Sequence, residues 1–161
     1  MKKKMLRRFL MVALLLGALT CVLSTGALAA DIVKSGSTGI SLKWTLDSDG
    51  VLTFQGEGEI GPHGYGYSIA PWYSDRADIK SVIVPDGVTS IGASAFADCT
   101  ALSNVSIADS VTNIGADVFS GCTSLTTISI PDSVNKIGDG VFKDCTGLNN
   151  VVIPASVTSI G

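Results

Sequence analysis

The sequence holds one histidine, His63, two tryptophans and four cysteines in 161 residues. A single imidazole with no cysteine near it in sequence gives no metal-ligand spacing. Serine is abundant, yet no G-x-S-x-G occurs, so the nucleophile elbow of serine hydrolases is absent. Basic residues are scarce beyond the start: five of the 11 Lys and Arg lie before residue 10, and all 14 Asp and Glu lie after residue 30. Without its first 30 residues the chain has six basic and 14 acidic side chains, a net charge of −8 with His63 neutral. A chain that acidic, with no basic patch, is a poor partner for nucleic acid or an anionic membrane.

Three motif matches fail on their context. Residues 56–61 read G-x-G-x-x-G, but Pro62 follows in place of a helix, and Glu57 and Glu59 would repel a phosphate. The stretch is read as a flexible Gly-rich loop. Asp47-Ser-Asp-Gly50 has its glycine at the fourth place and no closing glutamate, so it is not a calcium loop. The acid pairs Asp47/Asp49 and Glu57/Glu59 fall on a turn and a loop, with no groove to set them across a glycosidic bond. No catalytic residue, metal or cofactor is expected, and the chain is read as not an enzyme.

What the sequence does have is a period. From Ile79 the chain repeats every 23 residues, with copies starting at Ile79, Leu102, Leu125 and Leu148; the last stops at Gly161. In register, the apolar columns are Val82/Val105/Ile128/Val151, Val84/Ile107/Ile130/Ile153, Val88/Val111/Val134/Val157 and Ile91/Ile114/Ile137/Ile160. Phe96/Phe119/Phe142 and Cys99/Cys122/Cys145 complete the pattern. A fixed period of this size is the mark of a solenoid. L-x-x-V-x-I reads as a short strand with one buried face, ended by Pro85, Pro131 and Pro154. Val-x-x-Ile-Gly reads as a second extended segment turning at Gly92, Gly115, Gly138 and Gly161. The run around each Phe is expected to form a single helical or 3₁₀ turn. One copy cannot cover its own core, so the copies must stack. The recurring cysteines are read as buried small hydrophobes, and three in-register thiols fit disulfide geometry badly.

The pattern Leu102-x-x-Val105-x-Ile107-x-x-Ser110-Val111-x-x-Ile114-Gly115-x-x-Val118-Phe119-x-x-Cys122 resembles the BspA-like bacterial surface class of leucine-rich repeats. Trp44 to Ser74 resembles the segment that often precedes such repeats. The resemblance implies a secreted or cell-surface protein, some members of the class being adhesins, and names no single ligand. The fold expected is mainly β with short helical or 3₁₀ turns, a leucine-rich-repeat solenoid behind an N-terminal β-hairpin cap.

Residues 1–30 are read as a secretory signal peptide. Lys2, Lys3, Lys4, Arg7 and Arg8 precede an apolar stretch over residues 9–23 and the small-x-small site Ala27-Leu28-Ala29. A membrane anchor is the alternative, as is a lipoprotein at Cys21, although Ala-Leu-Thr before it is a poor lipobox. Residues 31–78 are read as the cap region: residues 40–46 and 51–55 alternate apolar and polar around Asp47-Ser-Asp-Gly50, a hairpin. Leu42, Trp44, Leu52 and Phe54 are its expected core, and Pro71-Trp-Tyr-Ser74 is expected to dock on the first repeat, with an aromatic sugar platform as the other reading. Residues 79–161 hold three complete repeats and a truncated fourth. The open apolar edge of that fourth copy leads to the expectation of further repeats or domains beyond residue 161.

The candidate binding surface is the outward side of the first strands. Its levels are Lys80/Ser103/Thr126/Asn149, Ser81/Asn104/Thr127/Asn150 and Ile83/Ser106/Ser129/Val152, parallel rows on stacked strands about 4.8 Å apart. The rows are polar, nearly uncharged and free of aromatics, which argues against sugar stacking. They suit a protein-interaction or adhesion surface, and equally a solvated face without a partner. Asn104-Val-Ser106 is a glycosylation sequon, idle in a bacterial secretion route. Candidate partners are a host or bacterial surface protein or a glycan, with no nucleic acid and no membrane insertion after leader removal. A structural spacer and an accessory part of a secreted hydrolase are the competing functions.

Overall fold

The computed structural model describes residues 30–38, 41–63 and 69–161. The leader through residue 29, Ile40, Tyr65 and Tyr67 lie outside the described residues. Three strands open the fold: β1 (Ile32–Thr38), β2 (Leu42–Asp47) and β3 (Val51–Gln55). β4 (Gly58–Ile60) and a 3₁₀ turn at Tyr73–Asp75 follow. Each repeat then supplies two strands, the second shorter than the first in all but the first repeat, where both have four residues. The first strands are β5 (Ser81–Val84), β7 (Asn104–Ile107), β9 (Thr127–Ser129) and β11 (Asn150–Val152). The second strands are β6 (Val88–Ile91), β8 (Asn113–Ile114), β10 (Lys136–Ile137) and β12 (Ser159–Ile160).

The strands line two sides of the coil, one per strand type, and form three sheets. The first runs β1-β2-β3-β5-β7, and β9 paired with β11 lies beside it; the second runs β12-β10-β8-β6-β4. From β3 onward every pair is parallel, and the pairs between repeats are in step with the period, as in Val82↔Val105 and Ile91↔Ile114. The 23-residue period is therefore one turn of a coil, and each turn covers the apolar surface its neighbour exposes.

The third side of the coil is built of single turns with i→i+3 bonds. No helix forms around the phenylalanines. Short turns such as Cys99 N–H to Phe96 O, 3.3 Å, are broken by two left-handed residues per repeat. These are Ser94, Asp117 and Gly140 in one column and Asp98, Gly121 and Asp144 in the other. Only small or short polar residues take that conformation readily. It aims alternate amides at the next coil, so Phe96 N–H reaches Val118 O and Phe119 N–H reaches Val141 O, both at 3.0 Å.

Inside, the columns superimpose. Phe96, Phe119 and Phe142 stack face to face, with centroids 5.7 and 6.1 Å apart. Trp72 continues the stack, 6.1 Å from Phe96, and its indole N–H donates to Ala95 O at 2.8 Å. The Trp72 side chain thus docks on the first repeat. A serine column pins the corner between sheets: Ser110, Ser133 and Ser156 hydroxyls donate to Val88, Val111 and Val134 carbonyls at 2.7–2.8 Å.

The start of the chain holds more than a hairpin. β2 and β3 pair antiparallel through Trp44↔Phe54 and Leu46↔Leu52, but β1 adds an unanticipated edge strand. Residues 56–61 are not simply a flexible loop, because β4 within them pairs with β6, Ile60 opposite Ile91. β3, β4 and Trp72 therefore occupy the strand, corner and aromatic positions of a degenerate coil ahead of the first recognisable one.

Cys99 and Cys122 are buried free thiols, and Cys145 is half-buried. Burial pushes the Cys99 thiol up to about 12 and raises the other two. Cys122 and Cys145 donate to Phe96 and Phe119 carbonyls at 3.3 and 3.0 Å. The folded pKa lies above the ordinary 9.0, so this burial stabilises the fold below pH 9 and the contribution fades as pH climbs toward 12. A thiol reagent at neutral pH will label Cys145 first and reach Cys99 and Cys122 only on unfolding. Labelling of all three at one rate in the folded state would contradict this packing.

Candidate functional site

The outward side of the first sheet is longer than the repeats alone. One row runs Ser35↔Thr45, Thr45↔Thr53, Thr53↔Ile83 and Ile83↔Ser106, crossing from the antiparallel strands into the coil without a break. The next runs Val51↔Ser81↔Asn104. β9 and β11 lie beside β7 as a separate two-stranded ladder, Thr127↔Asn150 and Ser129↔Val152. Adjacent strands lie about 4.8 Å apart, so these side chains form a regular lattice.

Of the residues singled out in sequence, Lys80, Asn104, Thr126, Thr127, Asn149 and Asn150 are exposed, and Ser81 and Ser103 are half-buried. Some of their polar atoms serve the coil. The Ser103 hydroxyl donates to Lys80 O at 3.3 Å, and the Asn149 amide to Gly147 O at 3.1 Å. Asn104 donates to the Ser103 hydroxyl at 3.3 Å. Two exposed aliphatic side chains interrupt the lattice, Ile83 at 38% and Val152 at 66% exposure. Ser35, Thr45 and Thr53 belong to the same face and escaped sequence reasoning. Their alternation was visible, but not their register with the repeats.

The second sheet is less available. Thr89, Thr112 and Thr158 turn their hydroxyls onto Gly58, Thr89 and Asn135 carbonyls of the preceding coil at 3.2–3.3 Å. Those groups are engaged in holding turns together.

At one end of the first sheet a cleft of about 370 Å³ is lined by Val33, Lys34, Asp47, Asp75, Asp78 and Lys80, among others. Its charges are largely committed. Lys34 Nζ donates to Asp75 Oδ1 at 2.6 Å, and that contact first of all holds the Asp75 carboxyl below its ordinary value. Asp47 Oδ1 accepts the Asp49 and Val51 amides at 3.0 and 2.9 Å, shaping the β2–β3 turn. His63 is buried edge-on against Trp72, centroids 5.3 Å apart, and belongs to the packing of the first coil. Among the described residues no group of three or more His, Cys, Asp or Glu is placed to hold a metal ion, and no helix is long and apolar enough to cross a membrane.

Comparison with known proteins agrees with this architecture. The pattern of the BspA type leucine rich repeat region matches residues 72–161 in six copies, starting at the tryptophan that tops the aromatic stack. A leucine-rich repeat protein from Eubacterium ventriosum is similar at 29% identity and a TM-score of 0.65 over 80% of this chain. The chain spans 40% of that protein's length. One from Bacteroides capillosus is similar at 25% identity and a TM-score of 0.50, over 73% of this chain and 96% of the other. No curated protein sequence matches significantly. Repeats of this kind are scaffolds, generally used for protein interaction, and with residues 72–161 matched the chain belongs to the BspA-type leucine-rich repeat family.

Proposed function

We propose that this chain is a secreted or cell-surface interaction module, acting in adhesion. On this reading it binds a surface protein or glycan through the outward face of its first sheet and performs no chemistry itself. The observation that carries the reading is the unbroken outward register from Ser35 to Ser106, with Thr127 and Asn150 on the two-stranded sheet beside it. The second sheet supports the choice by contrast, because its threonine hydroxyls are already donated to the neighbouring coil. The basic-apolar-small start of the sequence supports export.

The test is binding of the purified chain to a panel of surface proteins and a glycan array. Removing the polar groups of Asn104 and Thr127 together, by alanine substitution, should weaken the best partner about tenfold, as loss of two hydrogen bonds predicts. Both side chains are exposed, so the denaturation midpoint should stay put. Undiminished binding by the double variant would place the contact surface elsewhere.

A further inference from the structure

We infer that the outward face of the first sheet fits a proline-rich segment in the polyproline II conformation, lying across the strands. This rests on the proposal above that this face is the contact surface, and it names the kind of polypeptide the face takes. Ser35, Thr45, Thr53, Ile83 and Ser106 stand in register on five successive strands, β1, β2, β3, β5 and β7. Every second strand of the sheet therefore carries a hydroxyl at this level: Ser35, Thr53 and Ser106. Among the described residues none of these three hydroxyls makes a hydrogen bond. The intervening strands carry Thr45 and Ile83, one hydroxyl only, so a partner that repeats every second strand has one preferred phase.

The spacing selects the conformation of the partner. Two strand spacings of about 4.8 Å make about 9.6 Å. A polyproline II helix has three residues per turn and rises about 3.1 Å per residue, so one side of it recurs about every 9.3 Å. Centred on Thr53, it misses each outer hydroxyl by only about 0.3 Å, inside the roughly 0.5 Å range of O–H···O lengths. An extended strand shows the same side about every 6.7 Å, which matches neither one spacing nor two. An α-helix, with a pitch of about 5.4 Å, drifts by about 2.4 Å over the four spacings. The chemistry points the same way. Polyproline II has no internal hydrogen bonds and proline has no N–H, so such a segment offers bare carbonyls and needs donors. The three hydroxyls are donors. Lys43, opposite Ser37 and Gln55 on the same side, adds an exposed ammonium that complements carbonyl oxygens. Asp47, at the other margin, has Oδ1 drawn into the β2–β3 turn by the Asp49 and Val51 amides. Ile83, exposed between Thr53 and Ser106, gives a pyrrolidine ring an apolar seat.

The test is fluorescence anisotropy of a labelled oligoproline of about twelve residues, four turns, with the purified chain. A Gly/Ser peptide of the same length has the carbonyls but no preformed helix. Oligoproline should bind at least about tenfold more tightly, since its ordering cost is already met. Thr53→Val should weaken it several-fold, and Ser35→Ala, Thr53→Val and Ser106→Ala together by more than about tenfold. Thr45→Val, one strand out of phase, should leave binding unchanged. These hydroxyls make no bond among the described residues, so the denaturation midpoints should hold. Equal binding of the two peptides, or equal losses for Thr45→Val and Thr53→Val, would overturn the inference. Should oligoproline fail while another surface protein or a glycan binds and is weakened by the Asn104 and Thr127 substitutions, the face remains the contact surface and the proline-rich partner falls. Failure of oligoproline and of the whole panel would sink both.

Discussion

Replacing Phe119 by alanine will lower the free energy of unfolding by about 3–5 kcal/mol, the range for emptying a core aromatic site. Phe119 is fully buried and lies in the middle of a stack, 5.7 Å from Phe96 and 6.1 Å from Phe142. Both faces of the ring are in contact, so truncation leaves a gap shared by three coils, and the backbone on that side is held by rungs to the next turn. In a solenoid the total stability is a sum of coil and interface contributions, and this one change weakens two interfaces at once. Phe142, half-buried, should lose clearly less on the same substitution. Urea denaturation followed by circular dichroism reports both; an unchanged midpoint for Phe119→Ala would refute the stack.

The second large effect is expected at a glycine that has an ordinary backbone. Gly115 does not adopt a positive φ, so conformational freedom is not what selects it. Room is. A Cβ there would lie 2.6 Å from Ala93 N and 3.0 Å from Gly92 C, both backbone atoms of the preceding coil. Neither can swing aside, and moving residue 115 would stretch its own rung, the 2.8 Å bond from its N–H to Ile91 O. Gly115→Ala should therefore destabilise by about 2–3 kcal/mol, as overpacking does in a tight interior. Gly61 is the internal control. It holds the same corner in the degenerate coil, yet a Cβ there meets nothing within 4 Å. Gly61→Ala should be neutral or stabilising by about 0.4–1 kcal/mol, through the unfolded chain alone. If the two substitutions behave alike, close backbone approach is not the reason for the Ile-Gly corner.

What the sequence could reveal was whatever recurs. Val111, Ile114, Phe119 and Cys122 announced their burial because each has a counterpart 23 residues away on either side. The degenerate coil hid because an insertion breaks its period. Leu52 precedes its partner Val82 by 30 residues and Ile60 precedes Ile91 by 31, while Trp72 precedes Phe96 by 24. No single offset aligns all three, and tryptophan in place of phenylalanine removed the last identity. The left-handed residues did leave a trace: positions 94, 117 and 140 read Ser, Asp, Gly, and positions 98, 121 and 144 read Asp, Gly, Asp. That interchange marks a backbone demand rather than a surface preference. For the candidate site, Thr127 and Asn150 were legible from alternation within the repeat. Ser35, Thr45 and Thr53 were not, since the pairing of β3 with β5 depends on how the degenerate coil stacks, and alternation alone does not fix register between strands distant in sequence.

The reversed strand at the first edge gives the coil a direction. From β3 onward each 23-residue copy meets its own hydrogen-bonding order on the neighbour before it, so a duplicated copy inserted among the repeats finds a ready template. β1 presents the antiparallel order and an irregular rung between Ile32 and Lys34, so a copy placed ahead of it would find none. Gene duplication can therefore lengthen this molecule along its axis only on the far side of β3, with the founding end kept constant.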